Sequence, residues 1–506
     1  MSQASLSITG TCLARVLICV LAISSSAIVQ GQGMGGGMGG GGMGGGGMGG
    51  GGMGGGGMGG GGQQGGMGGG QGGGTGSQAG GAGVVVDPQG VLRVLTMSDS
   101  NLSKIRQRSS IEQLPKNLRR PSKLRKVALG RLETALAATL ESGGALSDEI
   151  TNLAGLTQIR YVFVYPATSD SPGEVVLAGP AEPWAEDSFG RPIGVESEAP
   201  IVQLEDLAAA MRVFPPGQPS DQLVGCSIDP TQEGLARMQT YLESIGPVIP
   251  RGTTDGNITR GLRESLGPQT VSVQGVSPHT HFAQVLVEAD YRMKLIGIGL
   301  EKPPVRMSTW IDLTSSGSVA KNALQRWFFT PNYECLKVSE DDLAIELVGE
   351  GVKLIGADEM VLPDGRRMSA QQPSRASKLF TQAFTLKYPQ IARQHPVYAQ
   401  LKTLIDLAIV AAYMQEHGSY ESAGWSANML LDESAYPIER FVAPQKIDCA
   451  VNAVRRGSRL LTPIGGGVVI TPRESFAQGN LQIDETGELH DEYESLSIPS
   501  GRWWWD

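Results

Sequence analysis

Residues 32–83 repeat the phrase "MGGGG", setting Met34, Met38, Met43, Met48, Met53, Met58 and Met67 in glycine. Such a stretch has almost no apolar area to offset the entropy of ordering its backbone, so it is expected to be a disordered tether. A folded body can therefore begin only near Val84. At roughly 5–6 Å times the square root of length, about fifty residues give a mean reach near ~40 Å. Methionine sulfur favours Cu(I), so seven thioethers on one string raise copper binding. No histidine or carboxylate stands beside them, the first acidic residue being Asp87. A plain linker is the simpler reading, and no cofactor is predicted.

Ahead of the tether, residues 1–31 carry one charge, Arg15, then the apolar run "VLICVLAI", then small and polar residues. This is the order of a secretory signal peptide, which implies export to a periplasmic or extracellular location. The run is shorter than the about 20 residues that a bilayer span needs. Cys19 lacks the small neighbour that precedes a lipidated cysteine, so a released protein is expected, with no transmembrane segment in the mature chain. Cys226, Cys335 and Cys449 then remain, none in a CxxC or Cys/His cluster. Buried, inert thiols fit that spacing better than structural zinc.

Within residues 84–476 one phrase recurs: an apolar run, a small polar residue, then proline. It appears at Asp87-Pro88, Asp229-Pro230, Ser277-Pro278, Thr330-Pro331 and Thr471-Pro472. Asp, Ser or Thr before proline suits a helix N-cap with proline at the first helical position. Gln232 and Glu474 stand where a capping box needs them. Apolar spacing predicts helices over 231–243 and 278–293, and a helix over 397–414 that is apolar nearly all round. Asp406, in that last helix, requires a partner. "RYVFVYP" and "EVVLAGP" read as a hairpin, and "RWFF", "YECLKV", "DLAIELV" and "GVKLIG" as a second antiparallel set, with a further turn at Pro363-Asp364-Gly365. Hairpins mixed with strand-turn-helix units make the body α+β, with a buried helical segment at 374–418. Length suggests two domains, 84–250 and 266–476, followed by an acidic tail at 477–506 that ends in a Trp-rich segment.

"RYVFVYP", "GCSIDPTQEGLARMQ", "FAQVLVEADYRMKLIGIGLE", "LIDLAIVAA" and "TPIGGGVVITP", in that order, resemble a family of uncharacterised exported proteins of planctomycete bacteria, defined only as a domain of unknown function. The resemblance covers most of residues 84–476. It implies export and a cell-envelope setting. It carries no catalytic residues, because the family has no established activity.

The chemical candidates are few. "PHTHF" holds two of only five histidines, His279 and His281. Residues two apart on a helix point about 200° away from each other, so a helix here disfavours a two-histidine clamp. One of them could still bind metal with His395, Asp290 or Glu288. "GCSID" places Cys226 and Ser227 at an expected strand-to-helix corner, where a nucleophile could sit, but Asp229 replaces the second glycine of a nucleophile elbow. "PIGGGVVI" and "GIGL" lack the rest of any nucleotide fingerprint, so close backbone packing explains their glycines.

Charge is uneven along a chain of net charge −9. Residues 101–131 hold ten Lys/Arg against one acid, whereas 484–494 hold six acids and no Lys/Arg. No nucleic acid is expected to bind an exported, acidic protein; the basic stretch reads as a solvated face or as a dock for an acidic surface of the same chain. Trp503, Trp504 and Trp505 are costly to expose and should dock on the body or on a partner. Two functions remain: a non-catalytic binding or scaffold protein of the cell envelope, engaging an envelope component or a protein partner, and an extracytoplasmic hydrolase or metal-dependent enzyme with a scattered site.

Overall fold

The computed structural model describes residues 83–95, 111–112, 114–169, 171–217, 219–246, 254–314, 323–349, 351–370, 372–452 and 464–506. The expected signal peptide and tether, Gly83 excepted, and part of the basic stretch lie outside these residues. The body is α+β, as the mixture of hairpins and strand-turn-helix units implies.

Two large sheets carry it. The first runs in the order Val84–Val86, Val91–Val94, Lys446–Ile447, Gln269–Gln274, Val224–Asp229, Ile464–Ile470, Ala323–Pro331, Glu359–Val361, Arg367–Ser369, with Val352–Gly356 also paired to Ala323–Pro331. The second runs Gln482–Ile483, Leu336–Val338, Ala344–Leu347, Tyr161–Tyr165, Glu174–Ala181, Ser122–Ala128, Trp504–Trp505. Each sheet draws strands from both sides of the boundary expected between residues 250 and 266, and the described residues fall in one compact unit.

The first expected hairpin forms with Tyr161 opposite Ala178 and Tyr165 opposite Glu174. The second set divides. Ala323–Pro331 and Val352–Gly356 pair in the first sheet, while the hairpin of Leu336–Val338 and Ala344–Leu347 crosses to the second and pairs with Tyr161–Tyr165. The turn at Pro363-Asp364-Gly365 joins Glu359–Val361 to Arg367–Ser369, with Gly365 at φ +82°.

The five proline corners are also less uniform than expected. Asp87 makes a turn, its carboxylate accepting from the N–H groups of Gln89 and Val91. Thr330 and Pro331 lie inside a strand. Thr471-Pro472 opens a 3-10 turn without a side-chain cap. At the other two the cap moves downstream: Thr231 caps helix Gln232–Ile245 and Thr280 caps helix His281–Gly297. The reason at the second is local, since Thr280 closes a turn back onto the Ser277 carbonyl at 2.8 Å and its hydroxyl accepts from the Ala283 N–H.

The helical segment is two helices, Arg375–Gln394 and Pro396–Glu416, the second starting with proline at its first turn. By length and composition Pro396–Glu416 could cross a membrane, yet most of it is buried inside the body. Its Asp406 finds the partner it needs one turn back, Lys402 Nζ at 2.6 Å. This helix and Leu204–Val213 pack on helix His281–Gly297, whose other side covers strands Val224–Asp229 and Ile464–Ile470.

Candidate functional site

Helix His281–Gly297 is buried almost throughout its length, although it carries four charged residues in a row of alternate positions: Glu288, Asp290, Arg292 and Lys294. The spacing explains how a core tolerates them. Residues four apart share a face and residues two apart do not, so the four charges separate into two ion-pair rows on different flanks.

On one flank Glu288 is fully buried and accepts from the Gly83 N–H at 2.7 Å, from Arg191 at 3.0 Å and from Arg292 at 2.8 Å. Arg292 reaches on to Glu301 and to the Leu95 carbonyl. Burial alone would raise the Glu288 carboxyl, but the two guanidiniums and the backbone N–H hold it below its ordinary range. This row ties the hairpin of Val84–Val86 and Val91–Val94 to the helix.

On the other flank Lys294 spends all three ammonium donors: on Asp290 at 2.7 Å, the Ile228 carbonyl at 2.8 Å and the Gly466 carbonyl at 3.1 Å. Asp290 is fully buried and its second oxygen accepts no hydrogen bond from the described residues. Burial pushes its carboxyl up to about 6 against the pull of Lys294. Beyond it, Arg326 lies between Asp229 and Glu359, both at 2.7 Å, and Arg367 approaches Asp229 at 3.3 Å. Burial would raise Asp229, yet Arg326, Arg367 and Lys294 hold it low.

The triple glycine belongs to this junction. A side-chain carbon at Gly466 would lie 1.9 Å from the Trp327 carbonyl oxygen, and one at Gly467 would lie 1.9 Å from that of Cys226. Only glycine lets strand Ile464–Ile470 pass so close to both neighbours, which is the packing role expected of it.

The histidines take separate partners. His279 is exposed, and its Nδ1 meets the Phe441 carbonyl at 2.8 Å. His281 is 3% exposed, with Nδ1 2.9 Å from Asp206. His395 joins neither; it stands 3.5 Å from Glu301, at the end of the Glu288 row. Among the described residues no group of three or more His, Cys, Asp or Glu could hold a metal ion.

Cys226 and Ser227 do not sit at a corner. They are central residues of strand Val224–Asp229, Cys226 opposite Val468 and Val273, Ser227 opposite Gly467 and Ser272. Burial, with the Asp290 charge, raises the Cys226 thiol well above its ordinary value, so it stays protonated. Cys335 and Cys449 are buried free thiols as well, both pushed up by burial. Two open hollows of about 380 Å³ flank helix Glu488–Ser495, and their walls include none of His281, Cys226, Ser227 or Asp290.

Asp206, Arg191 and Arg326 complete these contacts and were not anticipated from the sequence. Asp206 had a readable signal, an acid inside the apolar phrase "LEDLAAAM"; so did Arg326, a charge within "LQRWFF".

The tail at 477–506 is part of the body. Asp484 accepts from the Leu489 N–H ahead of helix Glu488–Ser495, and Trp504–Trp505 pairs antiparallel with the outer edge of Ser122–Ala128. In the basic stretch Arg125 is fully buried, and it binds the Asp506 side chain at 2.7 Å and stacks 4.7 Å from the Trp504 ring. Lys116, Arg119, Arg120 and Lys123 of the same stretch are exposed.

A family model described as a protein of unknown function (DUF1598) matches residues 226–310, the stretch from Cys226 through helix His281–Gly297 that holds most of this ion-paired junction. No curated protein and no solved structure matches the chain.

Proposed function

We propose that this is an exported, non-catalytic binding or scaffold protein of the cell envelope, an α+β body carried on the glycine-rich arm. One observation carries the non-catalytic part of the reading: Cys226, Ser227, His281 and Asp290 are each at most 5% exposed and are built into the framework. A nucleophile needs an accessible, activated atom, and a protonated thiol in mid-strand is neither. The arrangement of residues 1–31 supports export, and the resemblance to exported planctomycete proteins supports the envelope setting.

A second reading, an extracytoplasmic hydrolase or metal-dependent enzyme, draws on the His281–Asp206 contact. A carboxylate on Nδ1 fixes the ring and its tautomer in the way that bases and metal ligands are fixed. The experiment treats the intact protein with serine- and cysteine-directed covalent probes and titrates it, and His281→Ala, with Zn²⁺. Absent labelling and equal, weak zinc binding are expected. Labelling at Ser227 or Cys226, or zinc binding lost with His281, would establish the second reading instead. N-terminal sequencing of the extracytoplasmic fraction should find a chain starting near Gly31.

A further inference from the structure

The outer edge of strand Ser122–Ala128 is finished by only two residues, Trp504 and Trp505, in register with Val127 and Lys126. Two ladder residues cannot hold a strand alone, so the side chains around them carry the attachment. Arg125 makes a two-point contact with the Asp506 side chain, Nε to Oδ1 at 2.7 Å and a terminal nitrogen to Oδ2 at 3.2 Å. Its remaining nitrogen donates to the Ala154 carbonyl at 2.7 Å, which fixes the guanidinium from below. The Trp504 ring lies against that guanidinium and its indole N–H donates to Glu149. The Ala128 N–H donates to the Trp503 carbonyl at 2.8 Å, and Arg131 donates to the carbonyls of Pro499 and Arg502.

Each group on the receiving side is held by the body. Arg125 donates to the Ala154 and Arg120 carbonyls, Ala128 lies in strand Ser122–Ala128, and Glu149 belongs to the short helix Asp148–Thr151. The delivering segment is a strap after helix Glu488–Ser495, mostly exposed or half-buried until Trp504. A preorganised edge reading main-chain groups, one aromatic ring and one carboxylate is the chemistry of strand addition, in which an extended peptide extends a sheet.

We propose that this edge is a peptide-binding site for an extended Trp-Trp-Asp segment, filled within one chain here and able to accept the same segment from a second copy of this chain. The second copy is the occupant the contacts select, because its residues 499–506 reproduce every one of them without change. Within one chain the short strap gives the segment a high effective concentration, so exchange between copies requires the resident segment to be displaced. The inference goes beyond the binding or scaffold reading and does not depend on whether the body is catalytic.

The test uses the full-length chain carrying Trp504→Ala and Asp506→Ala, which vacates the edge and leaves Arg125 intact, with a fluorescent peptide of residues 500–506 as probe. The vacated chain should bind this peptide at least ten-fold more tightly than the wild type, and a peptide with the same two substitutions should not bind. Equal binding of both peptides, or of neither, by a vacated chain with wild-type circular dichroism overturns the site. Should the double variant fold poorly, Asp506→Asn alone serves, with the same expected order of affinities. Mixing the vacated chain with an Arg125→Gln chain, which keeps the segment and loses the receptor, should give a heterodimer by sedimentation that neither forms alone. Peptide binding without that heterodimer overturns the second copy as occupant.

Discussion

Glu288 shows how much a single buried carboxylate can organise: it neutralises Arg191 and Arg292 and accepts from the Gly83 backbone N–H. Glu288→Gln keeps the shape and leaves two guanidiniums without their shared anion. Breaking a buried pair from one side costs about 3–5 kcal/mol, and urea unfolding should report a loss in that range. A loss below about 1 kcal/mol would mean that Arg191 and Arg292 find water or Glu301 instead. Asp290, two residues along, has the opposite sign. Its folded carboxyl titrates at about 6, above the ordinary 3.8 of an unfolded aspartate. Between those values the folded chain holds a proton that the unfolded chain has released, so this group's stabilising contribution is present at low pH and is lost as pH rises through about 6. Going from pH 7.5 to 5.5 should therefore add about 1 kcal/mol through Asp290. Asp290→Asn removes the titration, so the difference in unfolding free energy between the two pH values should shrink by that amount. An unchanged difference would assign the pH dependence to other buried acids such as Glu174, Asp358 and Asp406, whose carboxyls burial also raises.

At the scale of elements, strand Ile464–Ile470 is specified by what it lacks. Gly466 has φ +136° and its neighbours leave no room for a methyl group, so Gly466→Ala should cost about 3 kcal/mol or more, through backbone strain and displacement from Trp327. Gly256, inside helix Asp255–Leu266, offers the contrast: the nearest atom to an added carbon is 3.9 Å away. Gly256→Ala should stabilise by about 0.5–1 kcal/mol, the propensity difference of an open helical site. Thermal unfolding of the two variants side by side checks both, and a similar small effect at each position would remove the packing account of the triple glycine. Much at this scale was legible. The hairpin of Tyr161–Tyr165 and Glu174–Ala181, the helix Pro396–Glu416 and the need of Asp406 for a partner all follow from local pattern. The caps were not, because whether a polar residue before proline caps a helix depends on the next two residues; Thr231 and Thr280 outcompete Asp229 and Ser277 from positions that propensity alone does not rank.

For the whole molecule, the contacts that matter most join residues far apart in sequence, and these local patterning cannot reach. Arg125 meets Asp506, Arg191 meets Glu288, and His281 meets Asp206, while Ala344–Leu347 leaves its own sequence neighbourhood to extend the sheet of Tyr161–Tyr165. Length suggests two domains, and strand pairing crosses the boundary expected between them: Val224–Asp229 lies between Gln269–Gln274 and Ile464–Ile470, so the first sheet takes strands from both halves of the sequence. The same holds of the second sheet, in which Leu336–Val338 and Ala344–Leu347 finish what Ser122–Ala128, Tyr161–Tyr165 and Glu174–Ala181 begin. A body knitted in this way should unfold as one cooperative unit. The tryptophans make the measurement direct: Trp310 and Trp327 report on the first sheet and Trp503, Trp504 and Trp505 on the edge of the second, so their fluorescence in urea should change at the same midpoint as the far-ultraviolet circular dichroism. Two separated midpoints would show that the two sheets lose structure independently, despite the segments that pass between them.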